Sequence, residues 1–272
     1  MNQRLYMSMT SLPVILLVGG SGSRIRADVG NRPKHLVEVG SRPILWHVMR
    51  LYSHFGHTNF VLPLGHHGEV FRKYFLDFSS LTQDLEFRLG TEDSRIPSSG
   101  VEKDWHVNLF DAGVQTSKAD RIRMAINRID AETLCVTYGD GIGDIDVNSA
   151  IEFHSSHDCI ATVTGYRPLS QYGVLDIDNQ GRVYSMHEKP RLDHWINAGF
   201  FVFDRSVLEY LDGDGKVDLE TDVMPKLASD GELMMYKHEG FWASMDTLKD
   251  AQNLNNVWNN SAPWKVWGDK ND

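Results

Sequence analysis

The sequence predicts an α/β fold: a doubly wound, mostly parallel mixed sheet with helices on both faces and a small antiparallel extension. Three observations lead there. The six-residue runs PVILLV (13–18), NFVLPL (59–64) and TLCVTY (133–138) show little polar alternation, the pattern of strands covered on both faces. Stretches with helical spacing lie between them, and strand–helix alternation implies a parallel sheet. The second half instead breaks into short strands separated by turn residues, which suits an antiparallel extension.

The elements follow in order. In RPILWHVMRLYSHFG, Pro43 sits at a helix start, Ile44, Val48, Leu51 and Phe55 share one face, and Gly56 ends the run. GEVFRKYFLDF (68–78) is a second helix. TLCVTY leads into the turn GDGIGD and a helix near 146–157. CIATVTGY, YGVLDID, GRVYSMHE and AGFFVFD are the short strands. DLETDVMPKLASDG and TLKDAQNLNNVWNN are helical, and Thr247 with Asp250 forms a capping-box pattern. Residues 91–104 read as a mobile loop. A single domain is expected over 13–272, preceded by a disordered extension at 1–12, with no internal repeat.

Composition narrows the function. A chain of 272 residues can bury a substantial core. Its net charge of −10 argues against a general nucleic-acid binder or an anionic-membrane binder. An anionic ligand would therefore need local positive charge. Two cysteines, Cys135 and Cys159, make neither a metal cluster nor a disulfide framework, which points to a reducing compartment. The N-terminus lacks a signal-peptide core, and no apolar run reaches membrane-spanning length. A cytoplasmic location is expected.

The chemistry concentrates in LVGGSGSRIRADVGNRPKHLVEV (17–39). A bare backbone over Gly19, Gly20, Ser21 and Gly22 lets several N–H groups converge on a phosphate. It is neither a P-loop, because Ser23-Arg24 stands where Gly-Lys-Ser/Thr is needed, nor a dinucleotide fingerprint, because Ile25 stands at the third glycine. Taken alone it reads equally well as a tight turn. Arg24 and Lys34 flank it, and cations there stabilise a leaving pyrophosphate; each alone reads as a solvated charge. Asp140 lies just past a buried strand, at the end where open α/β sheets bind ligands. It could hold Mg²⁺ against phosphate oxygens or simply form an Asp-Gly turn. Asp246 precedes a helix and reads as its N-cap or as a second metal ligand.

With these segments together, the chain resembles the sugar-1-phosphate nucleotidylyltransferases, and within them the bacterial glucose-1-phosphate cytidylyltransferase branch. The carrying segments are LVGGSGSRI with RPKHLVEVGSRPILWH, TYGDGIGDID, HEKP, INAGFFVF, GELMMYKHEGFWASMDTLKD and APWKVW. The resemblance implies a Rossmann-like nucleotidyltransferase fold and transfer of a nucleotidyl group from CTP to a sugar 1-phosphate, with glucose 1-phosphate the expected acceptor. It implies that Leu17, Val18, Gly19, Gly20, Ser21, Gly22, Ser23 and Arg24 wrap the nucleotide and that Lys34 holds the triphosphate. Thr116 and Arg121 would lie near base and phosphates, and Gly139 would pack against the nucleoside. Asp140 and Asp246 would ligate Mg²⁺. Tyr172, Gly173, Glu188, Lys189, Asn197 and Gly199 would line the sugar-phosphate side. A homo-oligomer is implied, and no general base is needed because a sugar phosphate is already ionised.

The chain departs from the family pattern at Ser23 and Ile25, at Ala119-Asp120 in place of two glycines, at Ala198, and in the loop RLDHW with His194 and Trp195. Ser23 and Ile25 are mild changes; if Ala119-Asp120, Ala198 and His194-Trp195 converge on the acceptor, they favour a less polar, deoxy or otherwise modified sugar phosphate. The rival readings are a related transferase using another nucleotide or acceptor, and a non-catalytic nucleotide-sugar-binding regulatory subunit. Retention of Arg24, Lys34, Asp140 and Asp246 speaks against the second rival.

Overall fold

The structure, a computed structural model, describes residues 11–19, 32–82, 86–87, 94–95, 102–213 and 217–268. The glycine turn from Gly20 to Arg24 and most of the loop expected at 91–104 lie outside the described residues, as do residues 1–10 of the expected extension. Leu12, which the sequence reading put in that extension, packs on the core, and its N–H donates to His57 Nδ1 at 3.0 Å.

The strands that matter here are β1 (Val14–Leu17), β2 (Asn59–Leu64), β3 (His106–Asp111), β4 (Thr133–Tyr138), β5 (Gly141–Gly143), β6 (Ala161–Tyr166), β7 (Val174–Ile177), β8 (Val183–His187), β9 (Ile196–Asp204), β10 (Leu233–His238) and β11 (Trp242–Ser244). The longer helices are α1 (Ile44–His54), α2 (Gly68–Leu76), α3 (Lys118–Ile126), α4 (Val147–His154), α5 (Met224–Ser229) and α6 (Leu248–Asn260), beside the short helices Phe78–Thr82 and Leu208–Leu211. Seven strands form the main sheet in the order β10-β6-β9-β4-β1-β2-β3. Only β9 runs against its neighbours; the other pairings are parallel. Of the four small antiparallel pairs outside it, two matter here: the hairpin β7–β8, and β5 with β11.

The side chains of β1 show why the sheet is covered twice. Val14, Leu16 and Val18 point into one core; Ile15 and Leu17 point into the other. This is the two-residue period of a strand. The first core is closed by α1 and α6, the second by α3 and by the 207–227 segment through Val207, Leu211, Leu219, Val223 and Leu227.

Helix α1 differs from its expected one-sided burial: every residue from Ile44 to Tyr52 is buried. Its outer side is covered by tryptophans from the end of the chain. The rings of Trp258, Trp264 and Trp267 surround His47 with centroids at 4.9, 6.1 and 6.3 Å. His47 Nε2 donates to Val39 O at 2.8 Å, which leaves Nδ1 to accept from Trp264 Nε1 at 3.4 Å. The APWKVW segment thus caps a helix. In the stretch expected to be one helix at 218–231, residues Leu219–Val223 instead form a wider π turn before α5. Pro225 lacks the N–H that would continue the α ladder back into that turn.

Candidate active site

The carboxyl ends of β1, β2 and β4 lie side by side, with Leu17 opposite Tyr138 in the ladder. Lys34 stands on a single 3₁₀ turn, Lys34–Leu36, entered through Pro33. Its ammonium forms ion pairs with two carboxylates: Asp140, two residues past the end of β4, and Asp246 Oδ1 at 2.9 Å. Since both carboxylates reach one nitrogen, their oxygens are at most two hydrogen-bond lengths apart.

The local fold explains how residues so distant in sequence meet. Gly141 to Gly143 pair antiparallel with Trp242 to Ser244, Gly141 opposite Ser244. One step on, Met245 N donates to Asp140 O at 2.9 Å. The ladder therefore delivers Asp246 beside Asp140. The N-cap of α6 is Thr247, in a full capping box with Asp250. Asp246 precedes the cap, so its side chain is available to the cluster.

Burial would lower the Lys34 pKa, but the charges of Asp140 and Asp246 and their hydrogen bonds outweigh it and hold it above the usual value. The neighbouring His35 is fully enclosed. Burial pushes its pKa down to about 4, so it is a neutral packing group at neutral pH.

The cluster opens into a cavity of about 410 Å³ whose lining includes Leu17, Gly19, Lys34, Thr116, Arg121 and Asp140. That volume suits a nucleotide-sized ligand. Arg121 is 3 % exposed. Its guanidinium donates to three backbone oxygens: Thr116 at 3.1 Å, Pro63 at 3.1 Å and Gly113 at 2.6 Å. It lies against Gly19 and Gly65, where any side chain would overlap it. Arg121 thus ties the end of β2 to the 113–116 loop before α3 and packs against Gly19 and Gly65.

Two carboxylates with hard oxygen donors suit a small divalent cation that completes its shell with phosphate oxygens and water. Among the described residues no set of three His, Cys, Asp or Glu side chains could hold a metal ion. The pair therefore fits a metal shared with substrate better than a closed structural site.

Residues 13–260 match the family model described as Nucleotidyl transferase. The chain belongs to the nucleotidyl transferase family.

This nucleotidyl transferase is 37% identical over 259 residues to the glucose-1-phosphate cytidylyltransferase of Salmonella typhimurium, a match covering 94% of this chain and 100% of that one. It is 26% identical over 251 residues to the mannose-1-phosphate guanylyltransferase of Mycobacterium tuberculosis, covering 90% of this chain and 64% of that one. The crystal structure of HddC from Yersinia pseudotuberculosis superposes with a TM-score of 0.65 at 21% identity, covering 91% of this chain and 99% of that one. At that identity the likeness concerns the fold.

The remaining expected residues of the nucleotidyl transferase fall in two places. Val18 and Gly139 are buried beneath the cavity, Gly139 against Val18 and His35. Asn197 and Gly199 lie on β9 beside Tyr138: Gly199, at φ +78°, leaves room for the Tyr138 ring, and its N–H donates to Asn197 Oδ1 at 2.7 Å. Tyr172, Gly173, Glu188 and Lys189 lie on or next to the β7–β8 hairpin and do not line the cavity. Tyr172 is 76 % exposed there.

The departures expected to crowd the acceptor do not converge. Ala119 is fully buried in the second core. Asp120 turns away, held by Arg123 Nη2 at 2.8 Å and capped by Ser117. Ala198 is buried, and its carbonyl accepts from Trp242 Nε1 at 2.8 Å. Trp195 packs with Arg167 and Lys237, their charged groups 5.2 and 5.9 Å from its ring centre.

Sequence reasoning missed Tyr138, Lys118, His66, Gln115 and Asp218, which also line the cavity. Tyr138 precedes Gly139 in TYGDGIGDID, and Lys118 lies between Thr116 and Ala119. Their only signal was adjacency to residues already singled out.

Proposed function

We propose that this nucleotidyl transferase moves the cytidylyl group of CTP onto a sugar 1-phosphate, with glucose 1-phosphate the first acceptor to test, giving a CDP-sugar and pyrophosphate. The observation that carries the reading is the meeting of Lys34, Asp140 and Asp246 at the cavity mouthed by the carboxyl ends of the parallel strands. The choice of CTP is supported by the 37% identity, over the full length of the relative, to a glucose-1-phosphate cytidylyltransferase.

The acceptor phosphate oxygen attacks the α-phosphorus in line and pyrophosphate leaves, so the protein's work is to position and to neutralise charge. Lys34 stays protonated at neutral pH and presents its ammonium at the rim of the cavity. Arg121 fixes the walls on which the nucleotide rests. Asp140 and Asp246 would hold Mg²⁺, which when bound neutralises phosphate oxygens as charge builds on the leaving group. Asn197 and Gly199, on β9 next to β4, would contact the acceptor. A location in the cytoplasm and self-association belong to the same proposal. Among the described residues no helix is long and apolar enough to cross a membrane.

The test is pyrophosphate release with CTP, UTP, GTP, ATP and dTTP, each against glucose, mannose and galactose 1-phosphates with Mg²⁺. CTP with a hexose 1-phosphate is expected to dominate. Turnover with another nucleotide and not CTP, or none with any pair, would discard the reading.

A further inference from the structure

Lys118 is the lining cation that neither the resemblance nor the motif argument assigned. It occupies the first turn of α3, where a positive charge opposes the helix dipole. Its ammonium forms an ion pair with Glu220 from the π turn and stands 5.0 Å from the centre of the Tyr138 ring. The Tyr138 hydroxyl donates to the same Glu220 oxygen. Lys118, Tyr138 and Asp218 all line the cavity, Asp218 being the N-cap of the turn that carries Glu220.

The charges set the problem. Among the described lining residues the cations are Lys34, Lys118 and Arg121, and the acids are Asp140 and Asp218. Lys34 is held by two carboxylates, and Arg121 is spent on three backbone carbonyls in a buried slot. Arg121 cannot turn to a ligand without leaving buried carbonyls unmatched, and Lys34 divides its charge between Asp140 and Asp246. The Lys118 and Glu220 side chains are 46 % and 33 % exposed. An ion pair that open to water contributes little and exchanges readily.

We propose that Lys118 is a nucleotide-binding cation stored on Glu220 and delivered to the phosphate chain of the nucleoside triphosphate, with Glu220 the negative group the incoming phosphates displace. This deepens the nucleotidyl-transfer reading and rests on it. Two mutations should therefore act with opposite signs. Removing the lysine removes a favourable charge; removing the glutamate charge removes both a competitor and a repulsion.

The experiment is calorimetric titration of the full chain with CTP and with CMP, for wild type, Lys118→Gln, Lys118→Arg and Glu220→Gln, each checked by thermal denaturation. Lys118→Gln should weaken CTP about tenfold, the size of one lost charged contact. Lys118→Arg should bind close to wild type, and Glu220→Gln should bind CTP more tightly. The Lys118→Gln effect should shrink with CMP, and KM for the sugar phosphate should not follow it. Weaker CTP binding in Glu220→Gln, or an equal effect on CMP and CTP, would overturn the proposal. So would unchanged CTP affinity in Lys118→Gln, whether or not its melting temperature falls. A wild type that binds no triphosphate defeats the functional reading itself, whereas normal wild-type turnover with unaffected variants defeats this inference alone.

Discussion

The two ends of the main sheet each carry a small polar network, and they are built on opposite terms. At the carboxyl end, Lys34, Asp140 and Asp246 meet beside a cavity. At the other end, Thr162 Oγ1 lies 2.9 Å from both His154 Nδ1 and His157 Nε2, while Asp204 Oδ1 receives His154 Nε2 at 3.2 Å and Thr133 Oγ1 at 3.0 Å. The second network has one consistent proton arrangement. Cys159 N–H donates to His157 Nδ1, so His157 Nε2 carries its proton and donates to Thr162. The single hydroxyl proton then goes to His154 Nδ1, and His154 Nε2–H goes to Asp204. Donors and acceptors match within the protein. The first network keeps full charges together beside open volume, where a guest can redistribute them. A closed network stabilises a fold; an open one performs work on a ligand.

The comparison breaks most visibly at Asp140. Asp140→Asn should reduce kcat/KM by about 10²–10³-fold, the usual loss for a charge-stabilising group at a reacting centre. Its urea midpoint should stay near wild type, as read by pyrophosphate release and denaturation on the same preparation. At the opposite end the pattern should invert. Thr162→Val deprives two imidazoles of their shared hydroxyl and should cost about 1–3 kcal/mol of stability. Its kcat should remain near wild type while its urea midpoint drops.

The smallest expected effect is one of pH. Burial lowers the His154 pKa below the ordinary 6.5, with the Asp204 contact only partly offsetting it. Below that value the unfolded chain takes up a proton that the folded chain refuses, so stability is full above it and declines as pH falls beneath it. His154→Asn should flatten that decline in unfolding curves measured from pH 7.5 to 5. An unchanged slope would mean that other groups carry it.

Much of the fold was readable because burial leaves a periodic trace. The uninterrupted runs at 13–18, 59–64 and 133–138 became the adjacent strands β1, β2 and β4, and the Thr247 capping box formed as expected. Helix α1 read as one-sided because its cover arrives from Trp264 and Trp267, far along the chain. At the site, Lys34 and Asp140 were legible from their loops, and the structure sets Asp246 beside them. The Lys118–Tyr138–Glu220 contact was not legible, since it joins a helix start, a strand end and a π turn through tertiary packing. Ala119 and Asp120 were read as crowding the ligand; the register of α3 turns one into the core and ties the other to Arg123.

The β5–β11 ladder has a consequence for how the protein comes into being. Asp140 acquires its partner only when residues 242–246 have paired with 141–143 and Met245 has bonded to Asp140. Contacts of such long sequence separation carry a loop-closure cost and form slowly. During synthesis the strands β1, β2 and β4 can associate while the segment bearing Asp246 is still unmade. The acidic pair, proposed above to hold a divalent ion, is then incomplete in a half-made chain that already has most of its sheet. On the proposed function, catalytic competence would then wait on the pairing of β5 with β11.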